Sequence, residues 1–176
     1  MPLFSAAPAE HPEIAALVNS AYRASGSDAG WTTEADYIDG ERTDAATLAR
    51  DLAAQPAARL LVWRDAPGAP ILGCVWLEPV GGEVWYLGML SVRPDLQDRQ
   101  LGRALLAAAE LAAAGEGARR IRMTVVNVRD TLIAWYERRG YALTGETLPF
   151  PYDDPVFGAP LRPDLAFVVL EKVFEA

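Results

Sequence analysis

The sequence contains few of the residues that commonly carry covalent crosslinks or catalysis. Its 176 residues include one cysteine (Cys74), one histidine (His11) and one lysine (Lys172). A lone cysteine excludes an intrachain disulfide, and no apolar stretch approaches the length of a membrane-spanning helix. The first eight residues lack the charged start and apolar core of a signal peptide. We therefore expect a cytoplasmic protein that makes no membrane contact.

The charge balance of the chain is acidic. Lysine and arginine together number 16 against 24 aspartates and glutamates, which gives a formal net charge of -8. A general nucleic-acid-binding protein should be basic, so we expect no nucleic-acid partner. The acidity mildly favours a cationic ligand such as an amine, although ordinary solubility explains it equally well. The length suits one domain, residues 1–176, with a substantial core.

The most informative stretch covers residues 84–114. An apolar run from Val84 to Val92 predicts a strand buried on both faces, and Pro94 ends it because proline cannot donate to a sheet. After a polar turn, apolar residues recur at helical spacing from Leu101 to Ala114. The first N–H groups of such a helix lack intrahelical partners, and with the helix dipole they favour an anion such as a pyrophosphate.

The turn between this strand and this helix resembles motif A of the GNAT family of N-acetyltransferases, Gln/Arg-x-x-Gly-x-Gly/Ala. Two registers compete. The letters are satisfied by Arg99-x-x-Gly102-x-Ala104, whereas the distance from the strand end puts Gln97 first, Gln100 at the first Gly and Gly102 at the second. We prefer the second register because the strand end fixes where phosphates bind. A side chain at position 100 must then point away from the phosphates.

A second stretch, Ala134-x-Tyr136-x-x-x-Gly140-Tyr141, resembles motif B of the same family at the expected distance downstream. Together the two motifs cover roughly residues 83 to 148. The resemblance implies an α/β protein with the GNAT fold, in which a mixed, mostly antiparallel sheet of about six to seven strands is flanked by about four helices. Its two central strands are expected to splay apart.

The resemblance also implies acetyl-CoA as the acyl donor. The pantetheine arm of coenzyme A is expected in the gap between the splayed strands, paired with strand backbone, and the pyrophosphate at the N–H groups that begin the helix. No residue is assigned to a metal. The implied cofactor-binding residues are Leu90, Ser91, Val92, Gln97, Asp98, Arg99, Gln100, Leu101, Gly102, Arg103, Ala104, Asn127 and Arg129.

The same resemblance implies a general acid. Tyr136 matches the family tyrosine near the thioester sulfur, and a phenol is acidic enough to protonate a leaving thiolate. The general base stays open: where the histone-modifying branch has a glutamate this chain has Tyr86, and Glu83, Glu34 or a chain of waters are alternatives. We interpret Cys74 as a small core residue of a strand, and His11 as an exposed residue at the start of the first helix.

Two loops are candidates for the acceptor pocket. Residues 25–44 and 149–155 combine aromatic residues with glycine, proline and acids, a composition that is common in substrate-facing loops and equally in pinned surface loops. With the strand position noted above, the candidate acceptor-binding residues are Trp31, Glu34, Tyr86, Phe150 and Tyr152.

The sequence thus predicts direct transfer of acetyl from acetyl-CoA to an amine of a small molecule. Two alternatives stay open, acetylation of a protein N-terminus or lysine and a non-catalytic module that binds acyl-CoA. Nothing in the sequence identifies the acceptor, and a homodimer is left as one option for the assembly.

Overall fold

The computed structural model describes residues 3–174, and for residues 97–99 it describes the backbone alone. Helices are interspersed among the strands along the chain. In order they are β1 (Leu3–Ser5), α1 (His11–Arg23), β2 (Ile38–Asp39), α2 (Ala45–Ala54), β3 (Arg59–Trp63), β4 (Gly73–Gly81), β5 (Val84–Val92), α3 (Leu101–Gly115), β6 (Arg120–Val126), α4 (Asp130–Glu137), β7 (Ala142–Pro149), β8 (Ala159–Pro160) and β9 (Ala166–Val173).

Seven of these strands form one mixed sheet, in the order β1-β3-β4-β5-β6-β9-β7. Every pair of neighbours is antiparallel except β5 and β6, which run parallel. The expected architecture is confirmed, with seven strands in the main sheet and four α-helices. Within residues 3–174, no helix combines the length and apolarity that crossing a bilayer requires.

Both faces of the sheet are covered, and the alternation of side chains along the strands explains how. On β3, Leu61 and Trp63 belong to the core beneath α3 and α4, whereas Leu60 and Val62 belong to the core beneath α1 and α2. Successive side chains of a strand point to opposite faces, so an uninterrupted apolar run such as residues 60–63 serves both cores at once.

The central strands separate part-way along their length. The parallel register of β5 with β6 covers Val84–Tyr86 against Arg120–Arg122. On its other side, β5 changes register with β4 between Cys74 and Trp76, and Met89 there adopts a left-handed backbone with φ 49°. A bulge of this kind bends a strand and increases its twist. It turns the second half of β5 away from β6 and opens a gap between them.

A small second sheet lies at one end of this gap. β2 and β8 pair antiparallel over two residues each, and Ile38 of β2 packs in a separate small core with Val126, Phe150 and Leu165. Gly158 lies so close to the backbone of Asp39 that an added Cβ would meet its carbonyl oxygen at 2.5 Å. This close approach joins the loops on either side of the gap.

Candidate active site

Two cavities open on the gap between β5 and β6. Each has a volume of about 460 Å³. The first, the nucleotide-side cavity, extends towards the start of α3 and along α4, and the second, the inner cavity, extends along β6 towards β7 and the β2–β8 sheet. They share the side chains of Tyr22, Leu90, Arg129, Leu132 and Tyr136. The shared residues mark a junction where molecules bound in the two cavities would meet.

The nucleotide-side cavity ends at the first turn of α3. Gln100, just before the helix, has a left-handed backbone with φ 60°, and Gly102 and Arg103 line the cavity. The first helical bond runs from the Ala104 N–H to the Gln100 carbonyl oxygen at 3.2 Å. The preceding N–H groups have no intrahelical partner, so they form an anion-binding position at the positive end of α3.

The charges of this cavity favour a polyanion. Among the described residues its lining holds four arginines and no carboxylate. Arg139 stacks over the ring of Trp135 with its guanidinium carbon 3.6 Å from the ring centroid, and its Nε has no hydrogen-bond partner in the described structure. Partial burial, together with Arg138 and Arg103, lowers the pKa of Arg139. Three of the four, Arg103, Arg138 and Arg139, form no ion pair with the described residues, and such a cluster of cations fits the phosphates of coenzyme A.

Tyr136 lies at the junction, on α4. It is buried, its ring packs edge-on against Tyr141 with centroids 5.6 Å apart, and it lines both cavities. Burial, with a smaller contribution from the nearby Tyr22, raises the pKa of Tyr136 well above its ordinary value. The phenol therefore keeps its proton throughout the neutral range and is available as a donor rather than as a base.

Tyr22 faces Tyr136 from α1. Its hydroxyl donates to the carbonyl oxygen of Leu90 at 3.5 Å, at the edge of hydrogen-bond distance. Burial raises the pKa of Tyr22 to about 12. The junction therefore holds two protonated phenols beside the backbone of the β5 bulge.

A buried ion-pair network closes one side of the junction. Glu34 accepts from Nη1 of Arg23 at 2.5 Å and from Nη1 of Arg129 at 2.7 Å, and Nη2 of Arg129 also donates to the carbonyl oxygen of Thr32. The three charged side chains are 6 to 7% exposed. Both oxygens of Glu34 are thus committed to guanidinium groups, which makes it a poor acceptor for a substrate proton.

The inner cavity is bordered by β5, β6 and the loops that follow β7. Tyr86 and Thr124 bridge the start of the gap through their hydroxyls, 3.3 Å apart. Phe150 stacks on Phe167 with centroids 5.5 Å apart and forms an apolar wall. Glu34 is the one carboxylate among the described lining residues, so within that part of the chain no unengaged acid is present to serve as a base.

Comparison of the sequence with models of protein families identifies the family of this chain. The family model described as "Acetyltransferase (GNAT) family" matches residues 15–141, which is more than two thirds of the chain. The chain belongs to the GNAT acetyltransferase family. Enzymes of this family are transferases that use acetyl-CoA.

Solved GNAT structures share this fold. A GNAT acetyltransferase from Elizabethkingia anophelis with acetyl-CoA bound is 18% identical, with a TM-score of 0.60 over 71% of this chain and 83% of that one. A ribosomal-protein-alanine N-acetyltransferase from Brucella melitensis is 16% identical, with a TM-score of 0.67 over 99% and 100%. A nourseothricin acetyltransferase is 25% identical, with a TM-score of 0.54 over 67% and 66%. A search of curated protein sequences found no match.

The predicted cofactor-binding residues of the GNAT motifs divide into three groups. Six line the nucleotide-side cavity: Leu90, Val92, Gln100, Gly102, Arg103 and Arg129. Four do not: Ser91 is buried and donates to the carbonyl oxygen of Met89, Leu101 packs against the main core, Ala104 is exposed, and Asn127 uses both ends of its amide on Ala166 and Asp164. The side chains of Gln97, Asp98 and Arg99 lie outside the described part of the structure.

The predicted acceptor-binding residues are also separated. Glu34, Tyr86 and Phe150 line the inner cavity, whereas Trp31 lines the nucleotide-side cavity, where it packs 5.9 Å from Trp135. Tyr152 lines neither. Its hydroxyl accepts from the Leu165 N–H at 2.7 Å and donates to the Arg162 carbonyl oxygen at 3.0 Å, and its ring supports Phe150.

The structure also places three further residues that the sequence analysis discussed. Cys74 is fully buried in the core, as predicted, and burial raises the pKa of its thiol to about 12. The expectation that His11 is exposed is wrong: it is 6% exposed, because the 3-10 turn Pro8–Glu10 runs directly into α1 and the helix start is held against the core. Glu83 is exposed and lies beside Arg119, outside both cavities.

Sequence reasoning missed Tyr22, Arg23 and Arg42, which line the inner cavity. Tyr22 and Arg23 are the last two residues of α1, and Arg42 lies in an irregular polar loop. The one available signal was the position of two arginines and a tyrosine next to predicted loops, which is too common in surface segments to indicate a site.

Proposed function

We propose that the chain, acting as a single GNAT domain, transfers acetyl from acetyl-CoA directly to the amine of a small molecule. The observation that supports this most strongly is the junction of two cavities at Tyr136. One cavity carries the cations and helix start that suit a polyanionic donor, and the other is a separate chamber for an acceptor. The acyl donor and the acceptor must meet at one point if the acetyl group passes directly between them, without first being bound to the enzyme.

Tyr136 is the proton donor for the thiol that acetyl-CoA releases in this proposal. When bound, acetyl-CoA supplies an acetyl group activated as a thioester, which an amine nitrogen attacks with release of the thiol. Tyr136 gives its proton to the departing sulfur. Burial raises the pKa of Tyr136 and also that of a thiol at the same place, so the two shifts oppose each other in the transfer of the proton from oxygen to sulfur.

The chain's own backbone is suited to orient the donor. The β5 bulge at Met89 and the change of register opposite it leave strand backbone around Leu90 facing the gap instead of pairing with β6. Peptide groups in such an edge pair with an extended amide-containing arm as an added strand would. The phosphates are held by the N–H groups before Ala104 and by the arginines of the nucleotide-side cavity.

The proton of the acceptor amine leaves through water in this proposal. Glu34 is engaged by two guanidinium groups, and Glu83 lies outside the cavities. Tyr22 and Tyr86 line the inner cavity and are placed to hydrogen-bond an amine or a water beside it. The acceptor must then reach the site with its amine unprotonated, or lose the proton to solvent before attack.

A small acceptor is favoured over a protein because the inner cavity lies beneath loops and the β2–β8 sheet. Its lining includes Ile38 of β2 and residues of the segments 148–151 and 157, and its volume of about 460 Å³ is typical of small-molecule sites. The cytoplasmic location and the oligomeric state stay predictions.

The test of this function has two parts. Calorimetry with coenzyme A and acetyl-CoA is expected to show binding of both, and Arg138→Ala is expected to weaken it several-fold while Arg59→Ala, which changes an exposed residue on β3, leaves it unchanged. A screen of small amines with acetyl-CoA is expected to release free thiol only when an accepted amine is present. Absence of binding, or thiol release from peptides alone, would overturn the proposal.

A further inference from the structure

The inner cavity is cationic although the chain is acidic. Its described lining contains three arginines, Arg23, Arg42 and Arg129, against the single carboxylate of Glu34. The cavity therefore holds an excess of two positive charges in a chain whose net charge is -8. A cationic acceptor site is the opposite of what the overall charge suggests, so these arginines call for a specific explanation.

Neutralisation within the protein is incomplete. Glu34 is shared between Arg23 and Arg129, so one carboxylate balances two guanidinium groups. Arg23 is buried, and its Nε has no hydrogen-bond partner among the described residues. Buried charges are costly unless they are paired, and the remaining positive charge favours an anion supplied from outside.

Arg42 carries the second excess charge. It is half-buried over the ring of Tyr22, with its guanidinium carbon 5.9 Å from the ring centroid. No carboxylate of the described residues lies within ion-pair distance of it, although Asp39, Glu41 and Asp44 are close in sequence. Its side chain lines the cavity, whereas that of the preceding residue, Glu41, is exposed.

The position of Arg42 is fixed by the protein. The side chain of Asn19 on α1 accepts from the N–H groups of Arg42 at 2.7 Å and Thr43 at 3.2 Å, and donates to the Thr43 carbonyl oxygen at 2.9 Å. The loop is thereby tied to the helix that also provides Tyr22 and Arg23. Because its backbone is held in this way, Arg42 loses less conformational freedom on binding a ligand than a residue of an unanchored loop does.

The geometry points to an acceptor that carries an anionic group as well as its amine, that is, an amino acid or an amino-phosphonate or amino-phosphinate of similar size. This inference rests on the proposed function and adds the acceptor class to it. The anion binds Arg42 and Arg23 within the inner cavity, which places the amine towards the junction near Tyr136. Planar guanidinium groups suit carboxylate and phosphorus oxyanions alike through paired hydrogen bonds.

The first experiment compares acceptors that differ in the anion alone. A set of L-amino acids with small, aliphatic and aromatic side chains is assayed by thiol release, each beside its amide, its decarboxylated amine and its aminophosphonic acid. The expected result is that kcat/KM for at least one acid or phosphonate exceeds that of its neutral partners by about tenfold or more. A preference for the amino acids identifies the bound anion as a carboxylate, and a preference for the aminophosphonic acids identifies it as a phosphorus oxyanion.

Failure of this inference is distinguishable from failure of the proposed function. Neutral amines or amides that are accepted as well as the acids, or acetyl-CoA binding without acetylation of any anionic member, would overturn the inference and leave the donor site intact. Absence of acetyl-CoA binding would overturn the proposed function itself. Free peptide N-termini as the better acceptors would overturn both the inference and the small-molecule proposal.

The second experiment changes the arginine. In Arg42→Ala the KM of the anionic acceptor is expected to rise about tenfold or more, the KM of its amide to stay unchanged, and the dissociation constant of acetyl-CoA to stay unchanged. Arg119→Ala, which removes an exposed charge outside the cavities, is the matched control. Arg42→Lys retains charge without the planar group and is expected to be intermediate. An equal rise in KM for the acid and for its amide, or weakened acetyl-CoA binding, would overturn the inference.

Discussion

Glu34 Oε1 accepts a 2.7 Å hydrogen bond from Nη1 of Arg129, a contact between residues 95 positions apart that joins the loop after α1 to the residue preceding α4. Arg23 binds the other oxygen of Glu34. The network therefore fixes both walls of the junction relative to one another. Its members line the inner cavity, but its hydrogen bonds are directed within the protein.

Glu34→Gln is expected to destabilise the protein. It leaves two arginines that are 6 to 7% exposed without their counter-charge, and breaking a buried pair in this way costs about 3 kcal/mol or more. The measurement is chemical unfolding followed by tryptophan fluorescence. Glu83→Gln, whose side chain is 70% exposed, is the control and should change stability by less than about 1 kcal/mol. Normal stability with abolished turnover would instead identify Glu34 as the base.

Tyr136→Phe is expected to lower kcat while leaving binding of coenzyme A unchanged. The ring packing against Trp135 and Tyr141 is retained, and only the proton donor at the junction is removed. Loss of one general acid typically lowers the rate by about 100-fold or more. Steady-state kinetics and calorimetry measure the two effects, and thermal unfolding checks the fold. Unchanged kcat would mean that Tyr136 serves packing alone.

Much of the fold was predictable because it follows local periodicity and strong breakers. The apolar run of β3, the Pro94 stop after β5 and the alanine-rich α3 each leave a pattern within a few residues. The β2–β8 pairing was not predictable, since two-residue strands have no period, and it joins segments about 120 positions apart in sequence.

The site was predictable from the sequence only where a family motif reflects the course of the backbone. Gln100 and Gly102 were found through their distance from the strand end, but Arg42 reaches the inner cavity through a loop whose course depends on Asn19. Tyr152 was misread for the same reason: an aromatic residue in a loop gives no indication of whether it faces a cavity or, as here, supports Phe150 from behind.

Gln100→Gly is expected to tighten coenzyme A binding. Gln100 has φ 60°, a conformation that costs a non-glycine residue about 1 kcal/mol and that glycine adopts freely. Glycine would also let the pyrophosphate approach the backbone at the start of α3. Gln100→Ala is the matched control because it removes the side chain without relieving the backbone, and calorimetry should show no comparable gain. Weaker binding by the glycine variant would argue that the Gln100 side chain itself contacts the donor.

Alkaline pH is expected to destabilise the protein in a manner that depends on Cys74. Burial raises the pKa of this thiol from its ordinary 9.0 to about 12. Below the lower value the thiol is protonated in both states; above it, the unfolded chain loses the proton and the folded chain keeps it. The free energy of unfolding should therefore fall as pH rises between these values, by up to about 1.4 kcal/mol per pH unit.

Cys74→Ser provides the comparison for this pH dependence, since serine does not titrate in that range. The slope of stability against pH above 9 should decrease in the variant whatever its absolute stability. Native protein should also resist thiol reagents, because the thiol is fully buried and protonated. Rapid modification at neutral pH, or an acetylated Cys74 after incubation with acetyl-CoA, would contradict the core interpretation and favour a covalent route.

Gly88→Ala and Gly102→Ala are expected to separate the two cavities functionally. A Cβ at position 88 would meet the Tyr86 ring at 2.7 Å, so the ring must move and its 3.3 Å contact with Thr124 is lost. The acceptor KM should rise about tenfold with coenzyme A binding unchanged. At position 102 a Cβ would lie 3.6 Å from the Trp135 ring, an ordinary contact, so the fold tolerates it while the methyl group projects beside the start of α3 and weakens coenzyme A binding. If both variants changed the same parameter, the two cavities would not be separate donor and acceptor sites, and direct transfer at Tyr136 would lose its structural basis.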